Sequence, residues 1–340
     1  MKAEFKPLFH ADRVPLHEVL PLDTPFAGSI APTEVCNIHC IYCLHSLNNR
    51  ELEAKGFQSI HTPWNVFQRA VEQYQDFPSK LKSMCVAAQG EPLCNPRMPE
   101  MVQCVREAEI AESISTITNG ILLTPQMSDA LLDAGLDRIY ISLQGMSGEK
   151  YQEICGRRID FSKFVENIAY FFEKSRGRCA VNVKIADIAL QPGDRERFLE
   201  TFSPIADRVH IETIKPLYAD VDYSNILGVS QEDMTVSRFG RPHKKQSACY
   251  LAFYSLDVKP SGQITVCGAP FHACPELGTI YDTTLVEAWN SEARRKFLLG
   301  MLLGKRFDSL VCRDCDYPND VPCAGDEIDP YAEELIPKFS

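Results

Sequence analysis

No stretch of this sequence is long or apolar enough to cross a bilayer. Its most apolar short run, residues 297–304, falls far below the roughly 20 residues that a membrane helix needs. The first twenty residues mix charged and apolar side chains and lack the unbroken apolar core of a secretion signal. A soluble, cytoplasmic protein with no membrane partner is expected. Positive charge is in short supply: 35 lysines and arginines stand against 46 aspartates and glutamates, for a formal charge of −11. Phosphate backbones need a basic surface, so nucleic acid is not expected as the main partner, although a local basic pocket stays compatible with the total. Internal repeats and low-complexity tracts are also missing, which excludes a repeat array. What remains is 340 residues, 45% hydrophobic and 24% charged, enough for one large core and a smaller module.

Cysteine, by contrast, is abundant, with 14 residues. Without a secretion signal these do not read as a disulfide framework. Nine fall in two groups, at 36–43 and 249–323. Cys85, Cys94, Cys104, Cys155 and Cys179 are scattered and are expected to be small buried apolar residues. Clustered thiols in a reducing compartment point to metal.

The first group, Cys36-Asn37-Ile38-His39-Cys40-Ile41-Tyr42-Cys43, sits just after an apolar run that opens at Ile30. Thiolates are soft ligands, and a tight turn can aim three of them at one site. Three is one short of a closed tetrahedral zinc site or a four-thiolate iron–sulfur cluster. The spacing points to a [4Fe–4S] cluster with one iron open to another ligand, a zinc knuckle being the plain competitor. Cys-x3-Cys-x2-Cys with an aromatic before the last cysteine resembles the radical S-adenosylmethionine (SAM) superfamily. That resemblance implies that SAM chelates the open iron through its amino and carboxylate groups. It also implies reductive cleavage of SAM to methionine and a 5′-deoxyadenosyl radical, with the electron drawn from a flavodoxin- or ferredoxin-type donor.

From residue 28 onward, strand-like and helix-like stretches alternate. Strands are expected at 28–34, 83–88, 114–118, 138–143, 180–188 and 209–214, and helices at 62–74, 96–110, 124–134, 161–174 and 194–205. Six such units imply a parallel sheet buried by helices and curled by right-handed crossovers into a barrel short of eight strands. The fold class is α/β, and the family resemblance makes it a partial (β/α)6 TIM-type barrel. The expected organisation is an N-terminal cap at 1–27, the barrel at 28–217, a polar linker at 218–247 and a C-terminal domain at 248–340. The cap is shorter than the peptide-docking domain that many peptide-modifying relatives carry at this end. The linker holds a basic patch, Arg241-Pro242-His243-Lys244-Lys245, which would suit an anionic substrate if it lay over the barrel mouth.

Parallel barrels do their chemistry at the C-terminal ends of the strands. The second strand leads into Gln89-Gly90-Glu91-Pro92, where glycine allows close backbone approach and a carboxylate can accept a hydrogen bond from an ammonium group. This resembles the superfamily's GGE-type motif, with Gln89 in place of the more usual first glycine, and implies that Gly90 and Glu91 bind the SAM amino group. Asn119 closes the third strand and Ser142 lies on the fourth, with amide and hydroxyl chemistry suited to ribose or carboxylate. By the same resemblance Ser142 and an arginine soon after it, Arg157 or Arg158, serve the SAM ribose and carboxylate, and Tyr42 lays its backbone near adenine. Gln144, Asn182, Lys184, His210 and Glu212 are polar residues on expected buried strands and are candidates to face substrate, Glu212 being the catalytic one.

In the second group, Cys249 is followed by twelve residues, Gly262, four more residues and Cys267. Cys312-Arg313-Asp314-Cys315 comes later, and Cys323 beyond it. Two separated pairs give four thiolates, enough for a zinc site or one cubane cluster. Residues 255–258 and 263–266, around Pro260-Ser261-Gly262, read as a hairpin, and 283–301 as a helix containing Trp289. Together these resemble the SPASM/twitch family of C-terminal iron–sulfur extensions. Full SPASM domains carry seven cysteines for two auxiliary clusters. With only Cys274 and Cys323 left over, the resemblance implies one auxiliary [4Fe–4S] cluster, held by Cys249, Cys267, Cys312 and Cys315.

A single auxiliary cluster resembles the sugar- and aminocyclitol-modifying dehydrogenases and epimerases of this superfamily. That implies hydrogen abstraction from a polar small molecule, with the spare thiols Cys274 and Cys323 as candidate hydrogen-atom donors if the reaction is an epimerisation. Modification of a ribosomal peptide or protein side chain is the competing reading, and a non-catalytic iron–sulfur redox protein the third.

Overall fold

A computed structural model describes residues 3–6, 14–217, 221–227, 235–267, 275, 277–309, 311–313 and 315–340. Its strands are β1 (Glu4–Phe5), β2 (Ala27–Ile30), β3 (Ser83–Cys85), β4 (Ile114–Thr118), β5 (Arg138–Leu143), β6 (Ala180–Ala186), β7 (Arg208–Glu212), β8 (Ser255–Val258) and β9 (Ile264–Thr265). They form one sheet in the order β1-β7-β6-β5-β4-β3-β2-β8-β9. From β2 to β7 every neighbour is the next strand in sequence and every pair is parallel. This is the expected six-unit partial barrel of an α/β fold.

Two strands extend it beyond the sequence expectation. β1 pairs parallel with β7 and draws the N-terminal cap onto one edge. On the other edge β8 pairs parallel with β2, from Ala27 opposite Ser255 to Ile30 opposite Val258. The C-terminal hairpin is thus part of the barrel wall, and it covers a row of β2 backbone groups that would otherwise be an open edge.

Successive side chains on a strand point to opposite faces, which separates two populations on β5. Ile139, Ile141 and Leu143 are buried in the apolar core, whereas Arg138 and Tyr140 line the barrel interior. Register places Asp257, Ser29, Cys85, Ser115 and Arg138 side by side across β8, β2, β3, β4 and β5. Barrel interiors are normally filled by bulky branched side chains. Small polar ones here leave a cavity of about 1150 Å³.

Helix starts follow local capping chemistry. The helix Trp64–Tyr74 begins one residue after Pro63, and Val66, Phe67, Ala70, Val71 and Tyr74 form its buried stripe. Thr124 accepts a hydrogen bond from the Met127 N–H and opens Pro125–Asp133. An additional helix, Gly148–Cys155, is capped by Ser147 and closed by Gly156 in the left-handed region at φ 71°. The single helix expected at 283–301 is two, Leu285–Trp289 and Glu292–Leu302, because Ser291 accepts from the Arg294 N–H and starts a new turn. No described helix is long and apolar enough to cross a membrane.

The basic patch is matched by acidic side chains of the C-terminal stretch. Arg241 pairs with Glu327 at 2.8 Å, His243 with Asp316 at 3.0 Å, and Lys244 lies 3.8 Å from Glu327. The linker charges instead tie residues 238–244 to the acidic stretch that follows Cys315.

Candidate active site and auxiliary centre

The loop that leaves β2 is anchored before any ligand is considered. Its His39 and Ile41 N–H groups donate to the carbonyls of Cys155 and Ile154, at 3.0 and 2.9 Å, on the last turn of the Gly148–Cys155 helix. The His39 ring donates to the His45 carbonyl at 2.7 Å, and His45 Nε2 donates to the Gln89 carbonyl at 2.8 Å. Burial lowers the pKa of His45, in keeping with a neutral ring. Within this frame Cys43 is close enough to raise the pKa of Cys36 and of Cys40, and Cys36 that of Cys40, after larger causes. Burial pushes the Cys36 thiol up to about 12 and also raises Cys43; for Cys40 a hydrogen bond with Cys155 acts first and burial second.

The Gly90–Glu91 loop packs directly on the cysteine loop. A Cβ on Gly90 would lie 2.4 Å from the Thr33 carbonyl oxygen and 2.8 Å from that of Val35, so glycine is required by space alone. Glu91, 3% exposed, accepts from Leu93 N–H at 3.0 Å, Thr118 Oγ1 at 2.5 Å and Asn119 N–H at 2.6 Å. Burial nevertheless raises its pKa to about 7. An ionised carboxylate offers about four lone-pair sites. Three are taken, which leaves one for an ammonium group.

Asn119 Nδ2 donates to Asn37 Oδ1 at 2.7 Å, and Arg157 Nη1 donates to the Asn37 carbonyl at 3.2 Å. Arg158 makes a surface ion pair with Glu149, so of the two arginines only Arg157 reaches the cysteine loop. Tyr42 turns its hydroxyl to Gln144, while its carbonyl accepts from Tyr223 at 2.8 Å. Ser142 is half-buried, and its carbonyl accepts from Gln144 Nε2 at 3.1 Å. On the neighbouring strands Lys184, level with Ser142, pairs with Glu212 at the end of β7. Burial works to raise the Glu212 carboxyl, but Lys184 and Arg238 prevail and hold it below the usual range. His210 Nε2 donates to the Arg238 carbonyl at 3.2 Å, and burial keeps the ring neutral. Asn182 donates to the Ile139 carbonyl at 3.3 Å and behaves as a satisfied core amide.

The second thiol group meets the large cavity. Cys249, Cys267, Cys312 and Cys315 all line it, together with Ser29, Cys85 and Tyr140. Cys36, Cys40 and Cys43 do not; they stand at the other, C-terminal end of the strands. Arg306, 2% exposed, donates from Nη1 to the carbonyls of Cys312 and Cys315, both at 2.9 Å, and bends the pair of cysteines around its guanidinium. Cys323 does not line the cavity and Cys274 lies outside the described residues, so among the unclustered thiols the cavity receives Cys85. Asp257 also lines it and accepts from Ser255 at 3.2 Å, with its pKa raised to about 6 by burial.

Among the described residues, no three His, Cys, Asp or Glu side chains converge on one point as a single tetrahedral ion requires. A cubane asks for something else, one thiolate at each of several corners. Buried donors are left over at both centres, Asn37 Nδ2 at the first and Arg306 Nε at the second, and cluster sulfurs accept such hydrogen bonds. The donors present fit iron–sulfur clusters.

The profile of the radical SAM superfamily matches residues 30–202, just over half of the sequence. The chain belongs to the radical SAM superfamily. The SPASM iron–sulfur cluster-binding domain matches residues 249–316. The cofactors of this radical SAM chain are therefore a SAM-binding [4Fe–4S] cluster, an auxiliary cluster and SAM. The GTP 3′,8-cyclase of Alkaliphilus oremlandii (strain OhILAs) is 31% identical over 139 residues, which is 41% of each chain. The present chain thus spans about two-fifths of the length of the curated relative it matches. Among solved structures, BtrN in complex with AdoMet and 2-DOIA superposes with a TM-score of 0.54 at 15% identity, covering 86% of this chain and 94% of BtrN. Streptococcus suis SuiB bound to precursor peptide SuiA superposes with a TM-score of 0.58 at 16% identity, covering 91% of this chain and 73% of SuiB. At such identities the likeness is one of fold.

Some site residues were hidden from the sequence. Cys155 and Cys94 read as scattered thiols, yet Cys155 hydrogen-bonds to Cys40, and Cys94 is near enough to Cys36 to raise its pKa. The pairing of Ser147 with Gly156, a helix start and stop that enclose eight residues, was the available signal for the helix that carries Cys155. Asp257 carried no signal beyond its place in a strand.

Proposed function

We propose that this enzyme cleaves SAM reductively and removes a hydrogen atom from a polar small molecule of the sugar or aminocyclitol type, leading to dehydrogenation or epimerisation. The reading rests on one observation above all: three thiols in a loop bonded to Gln89, adjoining Gly90 and Glu91, at the C-terminal end of a partial barrel. When bound, SAM and its cluster supply the radical, and the auxiliary cluster supplies a site for the electron left on the substrate. Cys36, Cys40 and Cys43 would hold the first cluster, and Cys249, Cys267, Cys312 and Cys315 the second. Glu91 would accept from the SAM ammonium, Asn119 and Ser142 would meet ribose or carboxylate, and Arg157 would neutralise the carboxylate. Tyr42 and Gln144, joined by their hydrogen bond, would close the adenine side.

The cavity of about 1150 Å³ lined by Cys249, Cys267, Cys312 and Cys315 would house the auxiliary cluster, while the substrate would lie at the C-terminal end of the strands, beside the first thiol group. Of the two buried carboxylates Asp257 is the stronger base, its pKa raised to about 6 by burial, whereas Lys184 and Arg238 hold Glu212 below the usual range. A flavodoxin- or ferredoxin-type donor in the cytoplasm would deliver the first electron.

The test is anaerobic reconstitution followed by reduction in the presence of SAM. The unmodified chain should hold about eight irons and release 5′-deoxyadenosine. Cys36→Ala with Cys40→Ala and Cys43→Ala should halve the iron and abolish that product. Zinc in place of iron, or 5′-deoxyadenosine that survives the triple change, would sink the proposal.

A further inference from the structure

We propose that His210 is the base of the reaction: its Nδ1 takes the hydroxyl proton from the substrate carbon that has lost a hydrogen atom, which makes the reaction the dehydrogenation of a secondary alcohol. This rests on the sugar- or polyol-type reading above and decides between its two outcomes.

β5, β6 and β7 send alternate residues into the apolar core: Ile141 and Leu143, Val183 and Ile185, and Val209. The residues between them take the opposite, inner face. Register sets Ser142 beside Lys184, and Lys184 beside His210, in one row of that face. Two residues back along β5, Tyr140 lines the cavity of the second thiol group. Two residues on from the row, Gln144 meets Tyr42 of the cysteine loop, and Glu212 pairs with Lys184. The row thus lies toward the C-terminal ends of the strands, between the cysteine loop and the second thiol group. A substrate there can meet a radical formed on one side and release an electron to the other.

His210 is 8% exposed, and its Nε2 donates to the Arg238 carbonyl at 3.2 Å. A carbonyl only accepts, so Nε2 carries the proton and Nδ1 of the neutral ring holds a lone pair. That Nδ1 is buried and has no hydrogen-bond partner. A buried polar atom without a partner is uncommon in a folded chain, and a substrate hydroxyl supplies the missing donor. Burial keeps the ring neutral against the Arg238 carbonyl and Glu212, and Lys184 acts in the same direction as burial. Lys184 and Glu212 are committed to each other, which leaves Nδ1 of His210 as an open acceptor of the row. Glu212, held ionised by Lys184 and Arg238, would meet the charge of the imidazolium once it forms.

The step balances as follows. Abstraction leaves an unpaired electron on a carbon that bears a hydroxyl. The O–H bond breaks, its proton passes to Nδ1 of His210, and the C–O bond becomes a carbonyl. One electron is released, and the oxidant that takes it is the auxiliary iron–sulfur cluster. An epimerisation would instead need a hydrogen atom returned to carbon, and no base.

The probes are myo-inositol, glucose and glucosamine, each deuterated at its ring carbons and given separately to the reconstituted holoenzyme with SAM and reductant. At least one should pass deuterium to 5′-deoxyadenosine and leave as a ketone. His210→Gln keeps an amide donor for the Arg238 carbonyl but offers no comparable base. The variant should bind SAM as the parent does and still load deuterium into 5′-deoxyadenosine. Its ketone formation should fall by about a hundredfold or more, the usual worth of a placed base. Nitrogen-15 spectra of the holoenzyme at pH 7 should show, in the ring signals that His210→Gln removes, a protonated Nε2 and a bare Nδ1. Undiminished ketone from the variant, an epimer as product or a proton on Nδ1 would overturn the inference and leave hydrogen abstraction standing. So would loss of SAM binding or of deuterium transfer along with the ketone, which marks a structural role. No deuterium transfer from any probe would remove the sugar-type substrate and this inference with it, whereas no 5′-deoxyadenosine would remove the reaction itself.

Discussion

Glu91→Gln separates a ligand-binding carboxylate from a loop-bracing one, because the structure assigns opposite magnitudes to the two roles. The carboxylate accepts from Leu93 N–H, Thr118 Oγ1 and Asn119 N–H. A glutamine can present its oxygen to only one side. Thr118 can rotate to accept from the new amide, but one backbone N–H is left facing a donor, at a cost of about 1–3 kcal/mol. Against this, the native carboxylate carries a burial penalty: its pKa stands at about 7 rather than 4.5. That shift is worth roughly 3 kcal/mol above neutral pH, and glutamine removes it. The two effects nearly cancel, so at pH 8 the variant should melt close to the parent. SAM binding has no such offset. Loss of a charge-assisted hydrogen bond to the ammonium is worth about 1.5–3 kcal/mol, a weakening of about ten- to hundredfold. Equilibrium binding of SAM to the reconstituted enzyme, alongside thermal melts at pH 8, reads both. Unchanged SAM affinity would show that the one remaining lone pair does not meet the ammonium. A large fall in melting temperature would show that the bracing role dominates.

Asp257 should make stability fall as pH rises. Its folded pKa of about 6 lies above the unfolded value near 3.8, so the folded state holds an extra proton between the two and the penalty is complete above pH 6. Asp257→Asn should therefore stabilise the protein by up to about 3 kcal/mol at pH 8 and by little at pH 4, as read by denaturant titration; an equal gain at both would refute the assignment. Arg306→Gln should keep about eight irons per chain yet lower the auxiliary cluster's reduction potential, since a positive charge braced on Cys312 and Cys315 is lost. An EPR-monitored redox titration with an unmoved potential would reduce Arg306 to a structural clamp.

The barrel was legible in the sequence because its signals are local. β4 and β5 run over the residues expected from their apolar runs, and Asn119-Gly120 closes the first of them. The Cys-x3-Cys-x2-Cys turn and Gly90-Glu91 were legible for the same reason: each is a short motif with one geometry. What escaped were pairings distant in sequence. Nothing near Ser255 announces that it lies beside Ala27, because that contact serves an open edge of β2 created by the other five strands. Arg157 and Arg158 are equivalent as letters and differ only in which way a loop turns them.

The stretch after Cys315 is held by buried ion pairs. The resemblance to SPASM domains implied a second cluster for chains with seven cysteines, and here that stretch offers Asp316, Asp320 and Asp326 instead, all buried. Asp320 meets Arg238 at 2.6 Å and also accepts from the Arg238 N–H at 2.9 Å, and Asp316 faces His243. Removing one partner of such a buried pair costs about 3–5 kcal/mol, because the other charge is stranded. The pairs therefore hold residues 235–247 against the C-terminal stretch. Arg238, so held, offers its carbonyl to His210 and its charge to Glu212. The ion pairs of the C-terminal stretch thus reach His210 and Glu212 in the barrel through the one residue Arg238.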